Sequence, residues 1–280
     1  MQKQKRVMVP DVVKRKGTEK LVMLTAYDFT MARLLDEQVD MLLVGDSLGC
    51  VVQGNDNTLG VTLDQMVYHA TMVSRAARHA LVVGDLPFGS YQAGAEDALR
   101  SAMRMVKEAG VGAVKLEGGG RVCESIATIV EAGIPVMAHL GLTPQSFHAL
   151  GGNRVQGKNL EDAQRLIDAA QAVERAGAFA LVLEAIPAPL AREITASVAI
   201  PTIGIGAGAD CDGQVLVAND MLGLNSSRAP MQFNKEYCVL RDMIAGAVNQ
   251  YAKEVRKGAF PDAEHSYLAE RTRQPRLSRI

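Results

Sequence analysis

The sequence predicts an α/β protein, a single-domain (β/α)8 TIM barrel, and three observations carry that expectation. Eight short, nearly continuous apolar runs recur along the chain, each ending in polar or glycine residues. Most are separated by a segment of helical composition. Several of those segments close on a glycine just before the next run, as in Glu108-Ala109-Gly110 and Arg175-Ala176-Gly177. Parallel strands covered on both faces read as unbroken apolar runs, and glycine is the cheap residue for a left-handed helix C-cap. A doubly wound open sheet shares many of these signals, but eight runs fit a closed barrel. Such a barrel needs roughly 250 residues, so 280 residues make one domain over 1–280, with a short N-terminal arm and a mobile C-terminal tail over about 268–280.

Taken in order, the expected strands are Leu21–Ala26, Met41–Val44, Leu81–Asp85, Ala113–Glu117, Pro135–His139, Ala180–Glu184, Thr202–Ile205 and Val215–Ala218. Expected helices between them cover Phe29–Glu37, Leu63–Arg78, Ala95–Glu108, Val122–Glu131, Asn159–Ala176 and Leu190–Ser197. A terminal helix is expected over Lys235–Arg256, after which Gly258, Pro261 and Pro275 break regularity. The tail carries Arg271, Arg273, Arg276 and Arg279.

Composition removes several function classes. Thirty Lys and Arg against 31 Asp and Glu leave a formal charge of -1, so no global field favours nucleic acid or an anionic membrane. Aromatics make up 4% and Trp is absent, which argues against a base-stacking surface. Cys50, Cys123, Cys211 and Cys238 are scattered without a CxxC pair, the pattern of reduced, buried thiols in a cytoplasmic protein. Neither a signal-peptide core nor a run of about 20 apolar residues is present, so the expected protein is soluble and meets no membrane.

Catalytic groups of such barrels sit at the C-terminal ends of the strands. There the expected strands carry Asp46, Asp85, Glu117 and Glu184. Four carboxylates at one mouth repel one another, and a divalent cation is the natural compensation. Hard oxygen donors without a His/Cys cluster favour Mg2+ over Zn2+. Lys115 lies two residues before Glu117, so both leave the same strand face. It is either a Schiff-base nucleophile or a cation for a substrate carboxylate, and the neighbouring acids favour the second role. Ser47, between Asp46 and Leu48-Gly49, either binds an anion or caps a turn. Gly204-Ile205-Gly206-Ala207-Gly208 reads equally as a phosphate loop or a tight strand exit. His139 is either a site residue or a supporting donor.

Six strings together resemble the ketopantoate hydroxymethyltransferase family. They are Met23-Leu24-Thr25-Ala26-Tyr27-Asp28, Val44-Gly45-Asp46-Ser47-Leu48-Gly49, Asp85-Leu86-Pro87-Phe88, Val114-Lys115-Leu116-Glu117-Gly118-Gly119, Gly141-Leu142-Thr143-Pro144-Gln145-Ser146 and Ile203-Gly204-Ile205-Gly206-Ala207-Gly208. Val155-Gln156-Gly157 and Glu264-His265-Ser266 agree as well, whereas Pro230–Lys235 matches loosely. The resemblance implies hydroxymethyl transfer from 5,10-methylenetetrahydrofolate to 3-methyl-2-oxobutanoate, giving 2-dehydropantoate. It also implies a magnesium site at Asp46, Asp85 and Glu117, keto-acid binding by Asp46, Ser47, Asp85 and Lys115, proton abstraction by Glu184, and a homodecamer. A metal-dependent lyase or mutase of the phosphoenolpyruvate mutase and isocitrate lyase type is the alternative, with a silent keto-acid binder as a third reading.

Overall fold

The computed structural model describes residues 5–225 and 231–267. Among them, eight parallel strands close into a barrel in sequential order. These are β1 (Leu21–Thr25), β2 (Met41–Val44), β3 (Leu81–Asp85), β4 (Ala113–Glu117), β5 (Val136–Gly141), β6 (Ala180–Glu184), β7 (Thr202–Ile205) and β8 (Gly213–Leu216). Closure comes from β8 pairing with β1, Leu21 opposite Gly213 and Met23 opposite Val215.

Side chains alternate between two cores, as the period of two requires. Met41 and Leu43 of β2, Leu81 and Val83 of β3, and Ala113 of β4 fill the barrel interior, together with Met137, Val182 and Ile203. Leu42, Val44, Val82, Val114 and Leu116 face the helices instead. By the same alternation Asp85, Lys115, Glu117, His139 and Glu184 share the inward parity of those interior residues and emerge above them at the C-terminal mouth. At the opposite end the N-terminal segment forms a plug, with Val7 and Val12 in the interior core. Lys16 holds it by donating to the Thr195 carbonyl (2.7 Å) and to Asp212 (2.9 Å).

Helices Leu63–Ala76, Ala95–Lys107, Val122–Glu131, Leu160–Arg175 and Ala188–Ser197 wrap the barrel. Thr62 and Gln65 form a reciprocal capping box on the first of these. Helix Ala95–Lys107 packs closely on β3, where a Cβ on Gly84 would crowd the Met105 methyl and Val111.

Three expected elements have their boundaries corrected. The last strand begins at Gly213 rather than Val215 and ends at Leu216, because the chain turns into a short helix at Ala218–Met221. Gly213 itself is forced: a Cβ there would lie 2.6 Å from the Leu21 carbonyl oxygen. The fifth strand runs on to Gly141, and the terminal helix starts at Leu240, not Lys235. Of the four cysteines Cys211 is buried and the others half-buried, and none of them forms a disulfide. Residues 268–280, expected as a tail, lie outside the described residues. Among the described residues no helix is long and apolar enough to cross a membrane.

Candidate active site

Strand register assembles the site before any side chain is considered. Asp85 on β3 stands opposite Lys115 on β4, Glu117 opposite His139 on β5, and Gly141 opposite Glu184 on β6. Asp46 joins them from the turn after β2, where its backbone N–H donates to Asp85 Oδ2 (3.1 Å). All the carboxylates expected from the sequence therefore line one cavity of about 860 Å³, together with Ser47, Lys115 and His139. Asp46, Asp85, Lys115, Glu117 and His139 are buried, while Glu184 keeps 15% of its side chain exposed.

Such a cluster is electrostatically frustrated. Burial and the charges of Asp85 and Glu117 push Asp46 up to about 8, against a smaller opposing pull from Lys115. Asp85 is also raised by burial, although Lys115 Nζ lies 2.7 Å from its Oδ1. Burial acts against the Lys115 ammonium, yet Asp85, Glu117 and Asp46 outweigh it and hold its pKa above the usual lysine range. The raised pKa favours the ammonium form, which argues against a Schiff-base nucleophile.

His139 bridges the two remaining acids. Its Nδ1 lies 3.3 Å from Glu117 Oε1 and its Nε2 lies 3.2 Å from Glu184 Oε2, the latter pair close but not aligned as a hydrogen bond. Burial and Lys115 disfavour the imidazolium, but contacts with Glu117 and Glu184 prevail and raise it to about 9. Glu117 is lowered in return: burial opposes ionisation, and the His139 contact, Lys115 and the Gln145 amide overcome it.

The raised groups predict a pH effect. Asp46 and His139 both bind protons more tightly folded than unfolded, so the stability they contribute is present at low pH and lost as pH rises. In metal-free protein the melting temperature should fall by several degrees between about pH 6.5 and 9. Thermal melts in a chelator across that interval check the sign, and a flat or rising profile would contradict the assignment.

Ser47 Oγ sits 2.8 Å from Tyr27 Oη and makes no helix-cap hydrogen bond, which removes the cap reading. In the Gly204–Gly208 segment, Gly206 (φ +64°) and Gly208 (φ +81°) are closely covered by Phe233 and Ala188, so the segment is a tight strand exit. Beyond β6, Ala185 adopts φ +47°, unfavourable for a residue with a Cβ. Its N–H donates to the Ile205 carbonyl and its carbonyl accepts from Gln156 N–H (2.9 and 3.0 Å), fixing the turn that presents Glu184.

Two residues escaped the sequence reading. Gln145 reaches Asp46, Glu117 and Tyr91 from the loop after β5, and Tyr91 reaches Glu117 from the loop after β3. The string Gly141–Ser146 was the available signal, but nothing in it says which side chain turns inward.

The donor set fits a hard divalent cation. Asp46, Asp85, Glu117 and Glu184 supply the cavity with carboxylate oxygens, with Asp85 Oδ1 against the Lys115 ammonium, and Cys50 also lines the wall. Among the described residues no three His, Cys, Asp or Glu groups already converge into a cage. A hard cation held by these carboxylates would complete its shell with water and substrate oxygens.

Comparison with known proteins agrees with this geometry. Residues 6–263 match the model of the family described as ketopantoate hydroxymethyltransferase. A 3-methyl-2-oxobutanoate hydroxymethyltransferase of Syntrophus aciditrophicus is 58% identical over 257 residues, covering 91% of this chain and 94% of the relative. That of Clostridium acetobutylicum is 55% identical over 250 residues, covering 89% and 90%. Among solved structures, phosphonopyruvate hydrolase superposes with TM-score 0.60 at 11% identity over 94% of this chain and 92% of that one. A 2,3-dimethylmalate lyase of the PEP mutase/isocitrate lyase superfamily gives 0.58 at 18%, covering 93% and 92%. At that identity the likeness is one of fold alone. Matched over nearly its whole length, and with the family's strings meeting at one barrel mouth, the chain belongs to the ketopantoate hydroxymethyltransferase family.

Proposed function

We propose that the chain transfers a hydroxymethyl group from 5,10-methylenetetrahydrofolate to 3-methyl-2-oxobutanoate, giving 2-dehydropantoate, with Mg2+ as the cation. The observation that carries this reading is the convergence of Asp46, Asp85, Glu117, Lys115 and Glu184 on one cavity, together with identity above 50% to relatives of that name.

In this reading Asp46, Asp85 and Glu117 form the magnesium site. When bound, Mg2+ supplies Lewis-acid stabilisation of the enolate charge. Asp46, Ser47, Asp85 and Lys115 bind the keto acid, the buried ammonium of Lys115 and the Ser47 hydroxyl receiving its anionic oxygens. Glu184 takes the C3 proton. His139, placed between Glu117 and Glu184, orients that carboxylate and can hold a proton beside it. The cavity is far larger than a five-carbon keto acid needs, and Phe147, Met231 and Phe233 on its outer wall offer apolar surface to the folate.

NMR of 3-methyl-2-oxobutanoate in deuterated water tests the reading. C3–H should exchange with enzyme and Mg2+, and product should form once methylenetetrahydrofolate is added. Cleavage of the keto acid without folate would indicate a lyase, and neither exchange nor product would indicate a binder.

The reading includes a cytoplasmic homo-oligomer, a homodecamer by family resemblance, without nucleic acid or membrane. Support comes from helix Leu240–Arg256, which buries no residue within the chain and exposes Ile244, Val248, Tyr251 and Val255 at helical spacing. Val248→Asp should reduce the assembled mass measured by light scattering, and an unchanged mass would remove this helix from the interface.

A further inference from the structure

The loop after β5 carries a side chain that the reaction as derived does not use. Gln145 is 6% exposed and every hydrogen-bonding group of its amide is engaged. Its Oε1 accepts from Tyr91 Oη (2.7 Å) and from Gln92 Nε2 (3.1 Å). Its Nε2 donates to Asp46 Oδ2 (2.9 Å) and to the Leu86 carbonyl (2.9 Å). The orientation is dictated by these partners: turned over, the amide would set its oxygen against a carboxylate and a carbonyl, and its NH2 against a donor. The backbone N–H of the same residue donates to Glu117 Oε2 (2.9 Å).

One loop residue thus clamps acids delivered by two different strands. Tyr91 tightens the clamp, since its hydroxyl also meets the backbone carbonyl and N–H of Glu117, each at 3.2 Å. The consequence is a division of labour among carboxylate oxygens. Asp46 Oδ2 is committed to the protein, and Glu117 is held through Oε2 by Gln145 and through Oε1 beside His139. Asp85 accepts the Asp46 backbone N–H through Oδ2 and meets the Lys115 ammonium through Oδ1, so it is held by partners of its own and not by Gln145.

We propose that Gln145, braced by Tyr91, is a positioning residue that sets Asp46 and Glu117 in the orientation that receives the divalent cation. The inference rests on the metal reading of the site. Outer partners that orient metal ligands typically govern affinity by about 10–100-fold. Gln145→Met keeps the volume but removes both the donor to Asp46 and the acceptor for Tyr91. Tyr91→Phe leaves the Gln145–Asp46 contact and removes only its brace, so its effect should have the same sign and be smaller.

Isothermal titration of substrate-free protein with Mg2+ reads this directly. Gln145→Met should weaken Mg2+ binding by about 10–100-fold and Tyr91→Phe by several-fold, with chelator-treated melting curves still cooperative. Raising Mg2+ should restore turnover of both variants toward wild type, which a merely structural role would not produce. A folded Gln145→Met protein that binds Mg2+ as tightly as wild type overturns the inference while leaving the metal reading intact. A wild-type protein that takes up no Mg2+ removes the metal reading and the inference with it. Should Gln145→Met fail to fold, unchanged Mg2+ affinity in folded Tyr91→Phe overturns the proposal instead.

Discussion

Glu184→Gln should slow solvent exchange at C3 of 3-methyl-2-oxobutanoate by about 10²–10⁴-fold, the range a positioned general base contributes. The substitution keeps the shape of the side chain and removes only its capacity to take a proton. Mg2+ affinity should change little, because Glu184 faces His139 on the far side of that imidazole from Glu117. A loss confined to proton transfer would therefore appear as lower kcat with a nearly unchanged KM. The neighbouring imidazole sharpens the test. Losing the Glu184 charge removes one of the contacts that raise His139, so the imidazole should titrate at lower pH in the variant, visible by NMR. Exchange at the wild-type rate would transfer the base role to another group, with His139 the first to examine.

Much of this site is legible in the sequence because barrel geometry converts strand ends into a place. Five strands carry the expected boundaries, and the inward alternation that brings Lys115 and Glu117 to one face follows from their spacing of two. What a single sequence does not hold is register between strands. Asp85 meets Lys115, and Glu117 meets His139, because of hydrogen-bonded offsets between neighbours, so the ambiguity over His139 could not be resolved beforehand. Gln145 is hidden for a related reason. It approaches Asp46 across 99 positions of chain, from an irregular loop with no period to mark an inner face. The eighth strand was misplaced because Gly213 and Gln214 are not apolar, and the demand for a glycine there is made by Leu21 on the strand that closes the ring.

Asp85→Asn should abolish measurable Mg2+ binding and lower turnover by at least about 10³-fold, since it deletes the one carboxylate that both faces the cavity and pairs with Lys115. Its effect on folding is harder to sign by inspection. Breaking a buried ion pair typically costs about 3–5 kcal/mol. Here, however, the lost charge also relieves repulsion with Glu117 and with Asp46, and burial already disfavours ionised Asp85. The net loss in chelator should therefore fall below that range. Lys115→Met reverses the balance: it removes the ammonium from among buried acids, so metal-free protein should be destabilised more than by Asp85→Asn. A dication can replace the missing charge in that variant but not in the other. Ligand at 100 times its dissociation constant stabilises a fold by about 2.7 kcal/mol, a shift easily read in a melt. Mg2+ should accordingly raise the melting temperature of wild type and of Lys115→Met while leaving Asp85→Asn unmoved. If Asp85→Asn gained as much as wild type, Asp85 would be the partner of a structural lysine and not a metal ligand, and the cation would have to be sought between Asp46 and Glu117.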